Sequence, residues 1–151
     1  MSISGKTAIA GIGQTEFSKE SGRSELQLAC EAVKAAIDDA GLRPGDVDGM
    51  VTFTMDSSDE IEIARNVGIG DLTFFSRVHH GGGAAAGTVL QAAMAVATGT
   101  ADAVVCYRAF NERSGFRFGG ATARATAETP LLNSRSRNER PISHPELARD
   151  Q

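Results

Sequence analysis

The stretch that most limits the fold runs from Gly83 to Thr98 and contains no charged residue. A helix that is apolar on every side has no polar face to offer water, so the sequence places it inside, between layers. Its small residues Ala84, Ala85, Ala86, Gly87, Ala92, Ala93, Ala95 and Ala97 let neighbouring backbones come close. Ahead of it, Thr73 to Val78 is β-branched and aromatic and reads as a strand leading into His79-His80-Gly81-Gly82-Gly83. A helix start made of glycine leaves backbone N–H groups and the positive dipole end open to a ligand, which makes this junction the expected site.

The remaining periodicities point to an α/β domain. Lys6 to Gly13 is a short apolar run ended by glycines and reads as a buried strand. Ser24 with Gln27 has capping-box spacing. The stripe Leu26, Ala29, Cys30, Val33, Ala36, Ile37 and Ala40 then predicts a helix up to Gly41, with Glu31, Lys34, Asp38 and Asp39 facing water. Gly49 to Thr54 reads as a second strand, Ser57 with Glu60 as a capping box opening a short helix to Val67, and Ala103 to Tyr107 as a fourth strand. Alternation of strand and helix predicts a largely parallel sheet. From Arg124 to Gln151 the period stops, with Pro130, Pro141 and Pro145 in a polar stretch. Residues 1–122 are expected to form the domain, and 123–151 an irregular tail that begins the loop region of a longer protein.

Composition bounds the function classes. With 41% hydrophobic and 23% charged residues, the chain is of the soluble globular type. It lacks an apolar run long enough to span a membrane, and its start lacks a signal-peptide layout, so a cytoplasmic protein is expected. Cys30 and Cys106 have no metal or redox spacing around them and read as packing residues. Residues 1–107 hold 7 Lys and Arg against 14 Asp and Glu, and residues 108–151 hold 8 against 5. The basic end lacks the interleaved aromatics of single-strand binding, and no nucleic-acid partner is expected. Gly11-Ile12-Gly13 opens like a dinucleotide fingerprint, but Glu16 stands where the third glycine belongs. Ser4-Gly5-Lys6-Thr7 ends like a phosphate loop whose first glycine would precede Met1.

Three features together resemble the thiolase superfamily, specifically the amino-terminal half of lipid-transfer or sterol-carrier-type thiolases. They are Ala8-Ile9-Ala10-Gly11-Ile12-Gly13-Gln14-Thr15-Glu16-Phe17, the strand–loop–buried-helix unit, and Gly99-Thr100-Ala101-Asp102-Ala103-Val104-Val105. The resemblance covers roughly residues 6–120 and implies a thiolase-like half: a mostly parallel mixed sheet with a buried central helix. Thiolases keep a nucleophilic cysteine at the amino end of that helix, where it is activated. Aligning Gly99 with the glycine that closes the helix in the family puts that position on about Gly82, which has no side chain.

His79-His80-Gly81-Gly82-Gly83 is similar to the cysteine-less branch that includes steroid side-chain aldolases. That resemblance implies retro-aldol cleavage of a bulky β-hydroxyacyl-CoA to a ketone and a shorter acyl-CoA. The coenzyme A thioester is then the substrate, with no bound cofactor. It also implies a homodimer and a small OB-fold partner, and that the 151 residues alone are inactive. The reaction needs a base and an enolate stabiliser, with backbone N–H groups of Gly81, Gly82, Gly83 and Ala84 as candidate donors. Two readings of His79 and His80 stay open: one packs in the core while the other orders a loop, or one polarises the thioester carbonyl or relays a proton. A shared metal is disfavoured because adjacent strand residues face opposite ways. Arg108, Asn111 and Arg113 follow a strand's carboxyl end and are candidate contacts to CoA or to a loop. Two rival readings are an acyltransferase using Cys106 and a non-catalytic scaffolding subunit.

Overall fold

The computed structural model describes residues 2–53, 58–79 and 83–111. All of them lie within one compact unit, Met1–Gly115. The expected boundary near residue 122 and the tail 123–151 lie outside the described residues. The elements are α1 (Glu25–Asp39), β1 (Gly49–Phe53), α2 (Glu60–Val67), β2 (Phe74–Val78), α3 (Ala84–Thr98) and β3 (Val104–Cys106). The strands form a sheet in the order β2-β1-β3. Both pairings are parallel, with Gly49 opposite Phe74 and Val104, and Val51 opposite Ser76 and Cys106. No antiparallel strand occurs among the described residues, so the expected mixed sheet is all-parallel over this range.

Helices cover both faces. The side of β1 bearing Met50 meets α1 and α2 in a core of Leu28, Ala29, Val33, Ile37, Ile63 and Ala64, joined by Tyr107 from beyond β3. By strand alternation Gly49, Val51 and Phe53 face the other way, toward α3, which packs on all three strands. Every residue of β1 is buried, as a central strand between two helical layers requires. Ser24 caps α1 by accepting from Gln27 N at 3.1 Å. The Gln27 side chain does not close the box; it donates to Glu31 at 3.0 Å. Gly41 and Gly99, at φ 69° and 71°, sit beyond α1 and α3 in the left-handed conformation that ends helices at glycine. The cap of α2 differs from expectation. Ser57 lies outside the described residues, the N-cap is Asp59, and its carboxylate pairs with Arg77 of β2 at 2.5 Å.

Two expectations are corrected. The helix read as buried on all sides is buried on one: Ala84, Thr88, Ala92 and Ala95 form its covered stripe, while Val89, Leu90 and Met94 remain 46%, 53% and 48% exposed. The reason is layering, since the described residues place a sheet on one side of α3 and nothing on the other. The run Lys6 to Gly13 is extended but is not a strand, because no described strand lies beside it. It rests on α1 instead. Ile12 N donates to Asp39 at 2.9 Å, while Ile9 and Ile12 stay 77% and 76% exposed. The contact is backbone to backbone: a Cβ on Gly11 would run into Ala36 and Ala40, and one on Gly13 into Ala32 and Ala36.

Asp48 ties the strand starts together. Its carboxylate accepts from the N–H groups of Asp102 and Ala103 at 2.9 and 3.0 Å and from the Thr73 hydroxyl at 3.2 Å. Its carbonyl accepts from Thr73 N at 2.8 Å, and its own N–H donates to Ala103 O at 3.1 Å. Burial pushes this carboxyl's pKa up, but the donors together outweigh it and hold the group below its ordinary value. A depressed folded pKa stabilises the native state above the unfolded pKa, and that contribution is lost as pH falls through the folded value. Asp48→Ala should therefore cost about 1–3 kcal/mol at neutral pH by orphaning these donors, and the difference from wild type should shrink as pH drops below about 4. Denaturant titrations of the full-length protein from neutral to acid pH measure both. Gly11→Ala should cost about 1–3 kcal/mol by overpacking against α1, read as a lowered denaturation midpoint.

Candidate functional site at the carboxyl edge of the sheet

Because the three strands are parallel, their carboxyl ends share one edge, where open α/β sheets bind ligands. Phe53 closes β1, His79 follows β2, and Tyr107 and Arg108 follow β3. The helix after β2 begins at the same edge: α3 has Gly83 as its N-cap, which supplies no side-chain cap. Sequence reasoning thus placed the amino end of α3 where the structure has it. Ala84 is buried and Gly83 is exposed. His80, Gly81, Gly82 and Arg113 lie outside the described residues. His79 is exposed, and the alternation of β2 carried one residue further puts it on the side of Phe75 and Arg77, away from α3.

The exit from β3 is held firmly. Tyr107 N continues the ladder to Val51 O at 3.1 Å. The buried Tyr107 hydroxyl donates to Ser58 O at 2.9 Å, and the Thr52 hydroxyl donates to Tyr107 O at 3.3 Å. Asn111 is clasped to the start of α1: its N–H donates to Glu25 at 3.1 Å, its amide to Arg23 O at 2.8 Å, and its carbonyl accepts from Ser21 at 3.3 Å. Arg23 in turn pairs with Glu16 and Glu31. Sequence reasoning missed this clasp because its partners lie far apart in the chain.

Between these elements sits Arg108. Extending the β1–β3 register makes it the neighbour of Phe53 on the face that α3 covers, and its guanidinium carbon lies 5.4 Å from the Phe53 ring centre. The Phe110 ring lies 4.5 Å away. Such contacts hold a guanidinium through its flat face while its in-plane N–H donors remain usable. Among the described residues Arg108 has no carboxylate partner, whereas Arg23, Arg43 and Arg77 all do. The aromatic bed could have been suspected from Phe110 two residues on, but Phe53 needed the register.

Cys106 is not an activated thiol. Its pKa is raised, mainly by burial of the sulfur, which is turned toward α3 and donates to Thr88 O at 3.6 Å although the residue as a whole is exposed. A nucleophilic cysteine needs the opposite shift. A groove of about 490 Å³ runs over Leu28 and Ala32 of α1, between residues 13–18 and 108–111. Of the candidate residues, Arg108 and Asn111 line it. Among the described residues no cluster of three or more His, Cys, Asp or Glu has metal-binding geometry. None of their helices is long and apolar enough to cross a membrane.

No family model matches this chain. It is 76% identical over 117 residues, 78% of its length, to a steroid side-chain-cleaving aldolase of Thermomonospora curvata. It is 67% identical over 124 residues, 82% of its length, to a 17-hydroxy-3-oxo-4-pregnene-20-carboxyl-CoA lyase of Mycobacterium tuberculosis. The chain spans about a third of the length of these relatives, 30% and 32%. Among solved structures, an Ltp2-ChsH2(DUF35) aldolase superposes with a TM-score of 0.71 at 73% identity, covering 83% of this chain and 32% of that one. A monomeric SCP2-thiolase like protein type 1 from Mycobacterium smegmatis gives a TM-score of 0.51 at 27% identity, covering 65% and 22%. In sequence the chain is similar to proteins named as a steroid side-chain-cleaving aldolase and a steroid carboxyl-CoA lyase, and in fold to a thiolase-like protein.

Asn111→Ala should free the β3 exit from α1. The expected cost is about 1–3 kcal/mol of stability through unsatisfied partners, measured by denaturant unfolding.

Proposed function

We propose that this chain is part of a thiolase-fold lyase that cleaves a bulky, steroid-like β-hydroxyacyl-CoA by a retro-aldol reaction without an acyl-enzyme. The observation that carries the reading is the 76% and 67% identity to two proteins named for that kind of chemistry. The site geometry supports it: a helix amino end and an arginine both lie at the carboxyl edge of the sheet, and burial raises the pKa of the cysteine on β3. In the reaction a base removes the β-hydroxyl proton, the Cα–Cβ bond breaks, and the ketone leaves. The electron pair passes to the thioester as an enolate, which is protonated at Cα to give the shorter acyl-CoA.

The finer assignments belong to this proposal. Gly82 stands where thiolases keep their cysteine. The backbone N–H groups of Gly81 to Ala84 receive the enolate oxygen, as donors at a helix start do. His79 or His80 polarises the carbonyl or relays a proton, and Arg113 contacts CoA or a loop. A coenzyme A thioester is the substrate and no cofactor is bound. The protein works in the cytoplasm, as a homodimer with a small OB-fold partner. The two-component name of the aldolase structure supports the partner. The dimer is a separate commitment, since the SCP2-thiolase-like neighbour is described as monomeric.

The test is turnover by the full-length protein with its partner on a steroid β-hydroxyacyl-CoA. Ketone and shorter acyl-CoA should form in equal amounts, and mass spectra of quenched protein should show no acyl adduct. A stable adduct formed at the turnover rate overturns the reading.

A further inference from the structure

We infer that Arg108 stabilises the thioester enolate, an assignment that rests on the retro-aldol reading above. Three observations converge on it. The first is position. Arg108 follows β3 at the carboxyl edge of the sheet, and extending the β1–β3 register by two residues puts it beside Phe53, whose ring it reaches, on the α3 face. The glycine-capped amino end of α3 lies at the same carboxyl edge, after β2, with β1 between it and Arg108.

The second is how the side chain is held. Phe53, at the end of a fully buried strand, and Phe110 both lie within cation–π distance of the guanidinium, at 5.4 and 4.5 Å. The peptide bonds on either side are fixed too, since Tyr107 is anchored to Val51, Thr52 and Ser58 and Asn111 to Ser21, Arg23 and Glu25. The third is that its charge is not spent: among the described residues no carboxylate meets it, in contrast to Arg23, Arg43 and Arg77. A planar cationic donor, held by aromatic rings and with no carboxylate partner among the described residues, suits an oxygen that gains negative charge only as the Cα–Cβ bond breaks. It complements the neutral N–H groups at the start of α3, which lack a full charge.

The experiment separates enolate formation from carbon–carbon cleavage. The full-length protein with its partner is given the shorter acyl-CoA alone in D2O, and exchange of its α-hydrogens is followed by mass spectrometry, alongside cleavage of the β-hydroxyacyl-CoA. Arg108→Gln should slow both by about 100-fold in kcat with KM nearly unchanged. Arg108→Lys, which keeps the charge but not the fork, should recover part of both rates. Thermal unfolding of each variant checks that the fold persists. Exchange and cleavage unaffected by Arg108→Gln overturn the assignment. So does a loss appearing in KM for the CoA thioester but not for the corresponding pantetheine thioester, which would make Arg108 a phosphate contact. If the wild type exchanges the α-hydrogens but cleaves no β-hydroxyacyl-CoA, the lyase reading fails while the Arg108 assignment is still decided by exchange.

Discussion

Parallel strands cannot be joined by tight turns, so each must be brought into register across a helix, and something must hold the starts level. Here that task falls to Asp48. One carboxylate and the adjoining peptide groups bind the approach to β2 and the turn before β3, the two segments that must line up with the start of β1. The shared carboxyl edge follows from that alignment. Where the strands end, and hence where Phe53, His79 and Arg108 emerge, is set at the opposite end of the sheet.

Much of the scaffold was legible from pattern alone. The Ser24 cap, the apolar stripe of α1, the glycines at 41 and 99 and the three paired strands are local signals, and local physics decides them. The first apolar run was misread because its composition is that of a strand while strand character depends on a neighbour. Residues 11–13 lie instead against α1, through glycines whose missing Cβ atoms allow the approach. The burial of α3 was half right for a similar reason, since apolarity on every side states what a helix requires and not what surrounds it.

At the site, the edge and the helix start were foreseeable; the interactions that make it specific were not. Asn111 was singled out for its place after a strand, yet its partners Ser21, Arg23 and Glu25 lie at the other end of the unit. The bed under Arg108 combines a residue two positions away with one from another strand, and only the register brings Phe53 beneath it. Cys106 reads from its strand position as a packing residue, and the structure turns its sulfur toward Thr88 of α3, where burial raises its pKa.

The outward face of α3 has a practical consequence for anyone handling this polypeptide. Val89, Leu90 and Met94 sit on a helix with no charged residue anywhere along it, so water meets a continuous oily ridge beside the ligand edge. Expressed by itself, such a surface favours self-association over a dispersed solution, and contiguous ridges of this kind are natural starting points for aggregation. Lysine or glutamate at 90 and 94 would improve handling of the isolated chain while leaving the alanine stripe against the sheet untouched.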